Sequence, residues 1–378
     1  EAGAMDPQQR LLLRQATMGL CMVGAAPWGS STHTPSTGVG VFVGISTTDY
    51  ARILQRSVSA APNAYAAPGG ALSVAAGRLS YTYGAQGPAV SVDTACSSSL
   101  VSTHLACQSW TLAQCQTALV GGVNLTLDPL TTASFIWSGM LAADGRCKTL
   151  DAAADGYVRG EACTVVVLSG GDHSTLIAGD ARTSSLGVRL AGSAVNQDGR
   201  SSSLTAPNGP AQQTAMRSAL HDARLAVRAV ALLEMHGTGT ALGDPIEMGA
   251  ACAVLSSSSG GNREHQYEHK VGISAAKSWV GHTEAGAGTV GLWSAHTCIT
   301  QSAMAPLAHL RQLSPHVISS ASAGGAAPWM MLSRVCMPRS VCRSRPAPAG
   351  ELAACDSGSE RFCFPRHQRA RAAGAIRP

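Results

Sequence analysis

The chain has 378 residues, 45% of them hydrophobic and 13% charged, which is enough apolar material for one large or two medium domains. Its formal charge of +5 is concentrated after residue 333, where nine arginines outnumber three acidic residues, so no nucleic-acid-binding face is expected. No apolar run is long enough to predict a membrane span, and residues 1–7 lack the pattern of a secretory signal. We therefore expect an intracellular protein, cytoplasmic or plastid, that is not secreted.

Buried strands alternate with helical patterns along most of the chain. Apolar runs predict strands at 38–44, 88–93, 118–125 and 163–168, with helices at 71–81 and 97–110. The second half repeats this order, with strands at 175–180, 227–235 and 271–274 and helices at 211–223, 246–255 and 285–301. The alternation predicts an α/β fold with buried, largely parallel sheets. The periodicity disappears beyond about residue 318.

One of the twelve cysteines occupies a distinctive position. Cys96 follows the predicted strand at 88–93 and precedes the predicted helix at 97–110, so it lies on a tight strand-to-helix turn. Such a turn exposes the sulfur and directs a helix N-terminus toward it, which predicts a lowered thiol pKa and a nucleophile. The other cysteines lack zinc-ligand spacing, so we expect no metal and mostly reduced, buried thiols.

Four segments carry reactive residue types at characteristic spacing. They are Asp93-Thr94-Ala95-Cys96-Ser97-Ser98-Ser99-Leu100, Glu234-Met235-His236-Gly237-Thr238-Gly239-Thr240, Gly243-Asp244-Pro245-Ile246-Glu247 and Lys277-Ser278-Trp279-Val280-Gly281-His282-Thr283-Glu284-Ala285. With shorter motifs such as Asp155-Gly156-Tyr157-Val158-Arg159-Gly160-Glu161, they resemble the β-ketoacyl synthase family, specifically the ketosynthase domains of modular (type I) polyketide synthases. The resemblance runs in order from residue 1 to about residue 316.

The resemblance implies a thiolase-like α/β fold, with two similar βαβαβ-rich halves in alternating helix and sheet layers. We expect an N-terminal half at 1–168 that carries the nucleophile and a C-terminal half at 169–318 that carries both catalytic histidines. Family members normally begin with a strand upstream of the Met-Asp-Pro motif and close with a hairpin around Gly-Phe-Gly-Gly-Thr-Asn. We therefore expect the first strand to be missing here and residues 319–378 to form an atypical basic tail, disordered or frameshifted.

The family's reaction is a decarboxylative Claisen condensation, in which a malonyl-type thioester extends an acyl chain held on a cysteine. A thiolate accepts an acyl group from another thioester with little thermodynamic loss. Two imidazoles that stay neutral near pH 7 can then stabilise the negative charge that grows on the malonyl thioester oxygen. By resemblance Cys96 is the nucleophile, His236 and His282 are the two imidazoles, and Lys277 and Glu284 support them.

The resemblance also implies the substrate-binding residues and the partners. Thr238 and Thr240 would hydrogen-bond the pantetheine amides of the substrate, although their hydroxyls could instead satisfy the loop backbone. Lys277 could be only an ion-pair partner, and His282 could cap the predicted helix at 285–301. No bound cofactor is expected, because the phosphopantetheine belongs to an acyl carrier protein. That carrier protein and a second copy of the chain, in a homodimer, are the expected partners.

Three alternatives remain open at this point. The motifs do not separate polyketide from fatty-acid elongation. A non-catalytic, carrier-protein-binding ketosynthase fragment is the second alternative. The family's closing hairpin supplies a backbone N–H of the oxyanion hole, and this sequence does not show that hairpin motif. A Cys–His hydrolase is the third, and it is disfavoured because no residue resembles the third, orienting member of a hydrolytic triad.

Overall fold

A computed structural model describes residues 1–22, 38–56, 64–169, 188–203, 205–256 and 271–324. The strands within these ranges are β1 Val39–Gly44, β2 Ala89–Val92, β3 Thr117–Asn124, β4 Ala162–Ser169, β5 Leu232–Glu234 and β6 Gly272–Ser274. The helices are α1 Pro7–Met22, α2 Asp49–Arg56, α3 Ala66–Gly70, α4 Val74–Tyr83, α5 Ser98–Thr111, α6 Pro129–Trp137, α7 Gly209–Asp222, α8 Gly243–Leu255, α9 Lys277–Val280, α10 Ala287–Gln301 and α11 Pro315–Ala323. Among these helices, none combines the length and apolarity needed to cross a membrane.

The larger sheet has the strand order β2-β1-β3-β4. β1 runs parallel to both of its neighbours, with Val41 opposite Ala89 on β2 and Leu119 on β3. β4 runs antiparallel to β3, so the expectation of largely parallel strands is wrong at this edge. The connection between the two strands explains this direction. Asn124 at the end of β3 pairs with Ala162 at the start of β4, so the chain returns to the same end of the sheet instead of crossing to the opposite end.

Helices cover both faces of this sheet. On one face Val41 belongs to a buried cluster with Leu12 of α1 and Leu79 of α4. Phe42, the next residue, packs on the opposite face in a cluster with Ala106 of α5. α10 lies on this second face as well, where it contacts β3 and β4. The alternation of successive side chains thus sandwiches the sheet between two helix layers.

The smaller sheet pairs β5 and β6 in parallel and lies between two further sets of helices. Leu233 of β5 packs against a cluster that includes Met248 of α8 and Val317 of α11. The adjacent residue, Glu234, points the other way and accepts a hydrogen bond from Ser294 of α10 at 3.0 Å. The described layers therefore follow the order α1/α4, larger sheet, α5/α10, smaller sheet, α8/α11, which is the α/β layering expected of a thiolase-like fold.

Two sequence-based boundaries differ from the structure. The strand predicted at 227–235 is a 3-10 turn at its start, and only Leu232–Glu234 extends, because β6 offers just three residues for pairing. α11 continues to Ala323, past residue 318, because Val317 and Ala321 lie one turn apart and both belong to the cluster with α8. The strand predicted at 175–180 and the tail from residue 325 lie outside the described residues. The division into halves at 168 and 318 stays a prediction.

Candidate active site

Cys96 lies on a tight turn that polar side chains hold in place. Residues 95–97 form one 3-10 turn between β2 and α5, as the strand-to-helix prediction requires. Ala95 has a φ of 53°, a left-handed conformation that residues other than glycine rarely adopt. The Ser98 hydroxyl donates to Ala95 O at 2.6 Å and accepts from Thr94 N–H at 2.9 Å. These two hydrogen bonds hold Ala95 in its strained backbone conformation and keep Cys96 at the tip of the turn.

The predicted lowering of the Cys96 pKa is wrong. Burial raises the pKa of this thiol above its ordinary value of 9.0, and the carboxylate of Glu284 adds to the rise. The Lys277 ammonium and the cysteine's own backbone N–H lower the pKa, but they do not outweigh the loss of water around the sulfur. At pH 7 the group is therefore mostly a thiol, and its position on the turn does not by itself make it a thiolate.

His236 follows β5 in a loop that a buried carboxylate organises. Glu247 of α8 accepts hydrogen bonds from the backbone N–H groups of His236 and Gly237 at 2.6 and 2.9 Å. Gly239 has a φ of 77°, and a Cβ there would lie 2.6 Å from the backbone nitrogen of Lys148. The His-Gly-Thr-Gly-Thr segment therefore needs glycine for close approach and a carboxylate for its free N–H groups.

His282 is held by its backbone and by its ring. Its N–H donates to Val158 O at 2.7 Å, and its carbonyl accepts from Gly160 N–H at 2.8 Å. Its Nδ1 accepts from the backbone N–H of Glu284 at 3.1 Å, a contact of the kind that the capping alternative expects. A neutral imidazole that accepts at Nδ1 carries its proton on Nε2. The group that His282 offers to a ligand is therefore an Nε2–H donor.

The fold brings these three side chains to one point. Cys96 Sγ and one ring nitrogen from each of His236 and His282 lie within 4.8 Å of one another. The two imidazole rings are 5.4 Å apart between centroids and stand at 87° to each other. Tyr157 packs edge-on against His282 with 5.0 Å between ring centroids. The thiol and the two ring nitrogens thus lie close enough for one small group to contact all three.

Both imidazoles are neutral at pH 7. Burial lowers the pKa of His282 to about 2, and the Lys277 ammonium and His236 act in the same direction. Burial also lowers the pKa of His236 to about 3, with a further contribution from Lys277. His236 keeps a solvent-exposed side, and water there moderates the effect, whereas His282 is only 5% exposed. Neutral imidazoles can donate hydrogen bonds to a developing anion without being deprotonated by it.

Lys277 and Glu284, which the resemblance groups as supporting residues, have different surroundings. Lys277 begins α9 and is 7% exposed; burial lowers its pKa, while the carboxylate of Glu247 raises it. Its charge reaches Cys96 and both histidines, whose pKa values it lowers. Glu284 forms an ion pair with Arg159 instead. The supporting roles of both residues stay predictions.

The two threonines of the loop contact each other and the loop backbone. Thr238 Oγ1 and Thr240 Oγ1 are 3.4 Å apart, and Thr240 Oγ1 accepts from Gly243 N–H at 3.1 Å. Thr238 is 8% exposed. These contacts agree with the alternative that the hydroxyls satisfy the loop, and pantetheine binding stays a prediction.

The thiol and the two imidazoles are also the ligand types that zinc prefers. A tetrahedral zinc site would hold such atoms with bonds of about 2.0–2.3 Å, and the three atoms here lie within 4.8 Å of one another. The Lys277 ammonium beside them opposes a divalent cation. The expectation that no metal is bound stays a prediction.

Four residues near the site received no role from the sequence. Glu247 and Asp244 lie in the segment 243–247, and Asp244 accepts from Gly239 N–H at 3.1 Å and Leu150 N–H at 2.8 Å. Tyr157 and Arg159 lie in the segment 155–161 and contact His282 and Glu284 respectively. Their presence in recognised motifs is a signal, but only the fold shows which group each one contacts.

Two family models match the chain in sequence order. "Beta-ketoacyl synthase, N-terminal domain" covers residues 1–173, and "Beta-ketoacyl synthase, C-terminal domain" covers residues 188–311. A phenolphthiocerol/phthiocerol polyketide synthase of Mycobacterium tuberculosis is 44% identical over 85% of the chain. Polyketide synthase GfsA of Streptomyces halstedii is 44% identical over 84%. The chain spans only 14% and 4% of these two proteins.

Solved structures agree with the sequence relatives. A ketosynthase from module 6 of the bacillaene synthase of Bacillus subtilis 168 is similar over 82% of the chain and 51% of its own, with a TM-score of 0.68 and 32% identity. The oxazolomycin ketosynthase domain OzmH KS7 of Streptomyces albus JA3453 is similar over 83% and 51%, with a TM-score of 0.70 and 31% identity.

Proposed function

This chain belongs to the β-ketoacyl synthase family, and we propose that it catalyses the decarboxylative Claisen condensation of polyketide elongation. A malonyl-type thioester on an acyl carrier protein would extend an acyl chain held on Cys96, as in an acyltransferase of the 3-oxoacyl-[acyl-carrier-protein] synthase type. The observation that carries the proposal is the convergence of Cys96, His236 and His282 within 4.8 Å. A thiol beside two neutral imidazole donors supplies both groups that this reaction needs, a nucleophile and a pair of hydrogen bonds for an enolate.

The first half-reaction loads the enzyme. The Cys96 sulfur attacks the carbonyl carbon of an acyl thioester, a new C–S bond forms, and the donor's thiol leaves with the proton that Cys96 gives up. One thioester replaces another, so the step is nearly neutral in free energy. Because the pKa of Cys96 is raised, the sulfur is protonated in most molecules before the reaction and must lose its proton during the attack. The Lys277 ammonium favours this loss.

The second half-reaction forms the carbon–carbon bond. The malonyl carboxylate leaves as CO₂, and its bonding electron pair moves toward the thioester oxygen as an enolate. The Nε2–H of His282 and an N–H of His236 donate hydrogen bonds to that oxygen, and each ring can do so as a neutral imidazole. The enolate carbon then attacks the acyl carbonyl on Cys96, and the cysteine sulfur leaves as the thiolate.

The partners follow from this chemistry. Both thioesters would reach the site on phosphopantetheine arms of acyl carrier proteins, and no further cofactor is required. A homodimer is proposed as in the family. In the part of the chain that the structure describes, β2 is an outer strand of the larger sheet and carries the exposed Val90, which supports this proposal.

Each alternative is weaker on a specific observation. The relatives are polyketide synthases, which favours polyketide over fatty-acid elongation. A hydrolase of the Cys–His type needs a carboxylate or amide oxygen on the histidine N–H to orient the base. His282 Nδ1 instead accepts from a backbone N–H. A non-catalytic, carrier-protein-binding fragment would not require three converging reactive groups.

The test separates the two half-reactions. The protein is incubated with a short acyl thioester, and peptide mass spectrometry locates the acyl group. We expect the label on Cys96 alone, and acylation that persists in Cys96→Ala contradicts the assignment. The pre-acylated protein is then mixed with malonyl-loaded acyl carrier protein, and CO₂ and 3-oxoacyl product are measured. His236→Ala and His282→Ala should load normally but condense about a hundredfold more slowly, whereas equal losses in both steps would make the histidines structural.

A further inference from the structure

Arg159 is a buried arginine whose three nitrogen groups are all engaged. Its side chain is 4% exposed, and its Nε and Nη2 donate to the two carboxylate oxygens of Glu284, the latter at 3.2 Å. Its Nη1 donates to Thr132 Oγ1 at 2.7 Å, and its guanidinium carbon lies 5.0 Å from the centre of the Phe135 ring. The two hydrogen bonds to the carboxylate and the two contacts with α6 hold the Arg159 side chain in a single geometry.

The partner of this arginine has a strained backbone beside His282. Glu284 has a φ of 43°, in the left-handed region that residues other than glycine rarely occupy. In this conformation its N–H points at His282 and donates to Nδ1 at 3.1 Å. Such a conformation costs about 1–3 kcal/mol and persists only where the surroundings hold it. The side chain of Glu284 is 11% exposed, and Arg159 is the cation that holds it.

We infer that Arg159 is a positioning residue for His282. Its ion pair holds Glu284 in the conformation from which the Glu284 N–H occupies His282 Nδ1, so the ring proton stays on Nε2 and faces the substrate. Arg159 is placed for this task because the backbone at 158–160 also pairs with His282 on both sides. The inference rests on the proposed role of His282 as a hydrogen-bond donor.

The consequence of losing Arg159 follows from charge and geometry. A buried carboxylate without its cation is strongly unfavourable, so Glu284 would move toward water and draw its backbone N–H away from His282. Nδ1 could then hold the proton, and Nε2 would lose its donor. A misplacement of about 1 Å costs roughly a hundredfold in rate. The hydrogen bonds of Glu284 described above go to Arg159 and His282, and its carboxylate raises the pKa of the Cys96 thiol through its charge, so we expect loading to be nearly unaffected.

The experiment compares Arg159→Met and Glu284→Gln with Arg56→Met. Arg56 makes an ion pair with Asp128 at 3.0 Å, next to α6 and away from His282, so it controls for the loss of an arginine–carboxylate pair. We expect Arg159→Met to load Cys96 at the normal rate and to condense about a hundredfold more slowly. Arg56→Met should leave both steps near normal. Arg159→Lys, which keeps the charge without two-point binding, should recover part of the condensing rate.

A merely structural arginine would give a different pattern. Equal losses of loading and condensation in Arg159→Met, or full condensation in a folded Arg159→Met or Glu284→Gln, would overturn the inference. If Arg159→Met does not fold, Arg159→Lys and Glu284→Gln test the same contact from its two sides. His282→Ala is included in the series to separate the two hypotheses. A normal condensation rate in His282→Ala refutes the proposed function. A reduced condensation rate in His282→Ala together with a normal rate in Arg159→Met refutes only the role of Arg159.

The protonation site of His282 provides a readout that does not depend on turnover. In protein with ¹⁵N-labelled histidine, the resonances lost in His282→Ala identify this ring. We expect a protonated Nε2 and an unprotonated Nδ1 in the wild type and in Arg56→Met, and a mixture of the two forms in Arg159→Met. An unchanged Nε2–H form in Arg159→Met would overturn the inference even if its rate were reduced.

Discussion

At the scale of single residues, the candidate site combines a thiol that resists ionisation with two imidazoles that resist protonation. Burial causes both effects, because it disfavours the charged form of each group. Lys277 is the cation that acts on all three: it lowers the pKa of Cys96 and of both histidines. One buried ammonium group thus favours the thiolate and neutral imidazoles together, which is the combination that the proposed reaction needs.

Replacing Lys277 by methionine should therefore slow loading and shift its pH dependence. Without the ammonium the pKa of Cys96 rises further, so at pH 7–8 we expect acylation to slow about tenfold, from the loss of one nearby opposite charge. The rate should still increase with pH as the thiolate forms. Loading measured from pH 6 to 10 provides the check. Lys148→Met, which removes a lysine paired with Asp144 and Asp155, is the matched control, and an identical profile in both variants contradicts this role.

At the scale of elements, the cysteine and the second histidine are held by turns of the same design. Ala95 and Glu284 each begin a 3-10 turn with a positive φ, and each turn leads into a helix, α5 or α10. The two helices meet where Thr289 N–H donates to Ser99 Oγ at 3.1 Å. The repeated design agrees with two similar halves, and it makes the spacing of α5 and α10 decisive for the distance from Cys96 to His282.

Gly288 is the residue that allows this approach. A Cβ at this position would lie 2.5 Å from Leu100 Cγ and 2.7 Å from the Leu100 backbone nitrogen, so Gly288→Ala must push α10 away from α5. We expect a loss of about 1–3 kcal/mol in the free energy of unfolding and slower condensation. Gly291→Ala is the control on the same helix, because among the described residues its Cβ would contact only Glu234 Cγ, at 3.6 Å. Urea unfolding and the condensation assay provide the comparison, and equal behaviour of the two variants would argue against tight packing here.

At the scale of the whole molecule, burying neutral histidines makes stability depend on pH. The pKa of His282 is about 2 in the folded protein and about 6.5 in an unfolded chain. Below pH 6.5 the unfolded chain therefore binds a proton that the folded protein refuses, and stability falls as the pH decreases toward 2. Burial raises the pKa of Asp6, Asp244 and Glu247, and these carboxyls contribute in the opposite direction at acid pH.

The histidine contribution can be isolated by difference. Between pH 7 and pH 5 the wild type should lose about 2 kcal/mol more unfolding free energy than His282→Gln, because the variant has no imidazole to protonate when it unfolds. His221→Gln, which removes an exposed histidine of α7, should behave like the wild type. Urea unfolding at both pH values provides the measurement. Parallel losses in all three proteins would mean that His282 takes up a proton in the folded state.

Local patterns were sufficient for much of the fold. Alternating and continuous apolar runs predicted β1, β2, β3, β4 and β6 within a residue or two, and helical spacing predicted α4, α5, α7, α8 and α10. α1 was missed although its signals are local: Pro7 occupies the first helical position, Asp6 Oδ1 accepts from Gln8 N–H at 2.8 Å, and Leu12 and Ala16 lie one turn apart with no exposure. Secondary structure is readable from sequence where burial imposes a strict period.

The motifs identified Cys96, His236 and His282 from the sequence, because their residue types and neighbours are distinctive even without the fold. The tertiary structure decided what no local pattern contains. The antiparallel direction of β4 depends on where the chain re-enters the sheet. The raised pKa of Cys96 depends on burial by distant residues. The ion pair of Arg159 with Glu284 joins positions 125 residues apart, and only the folded chain brings their charges together beside His282.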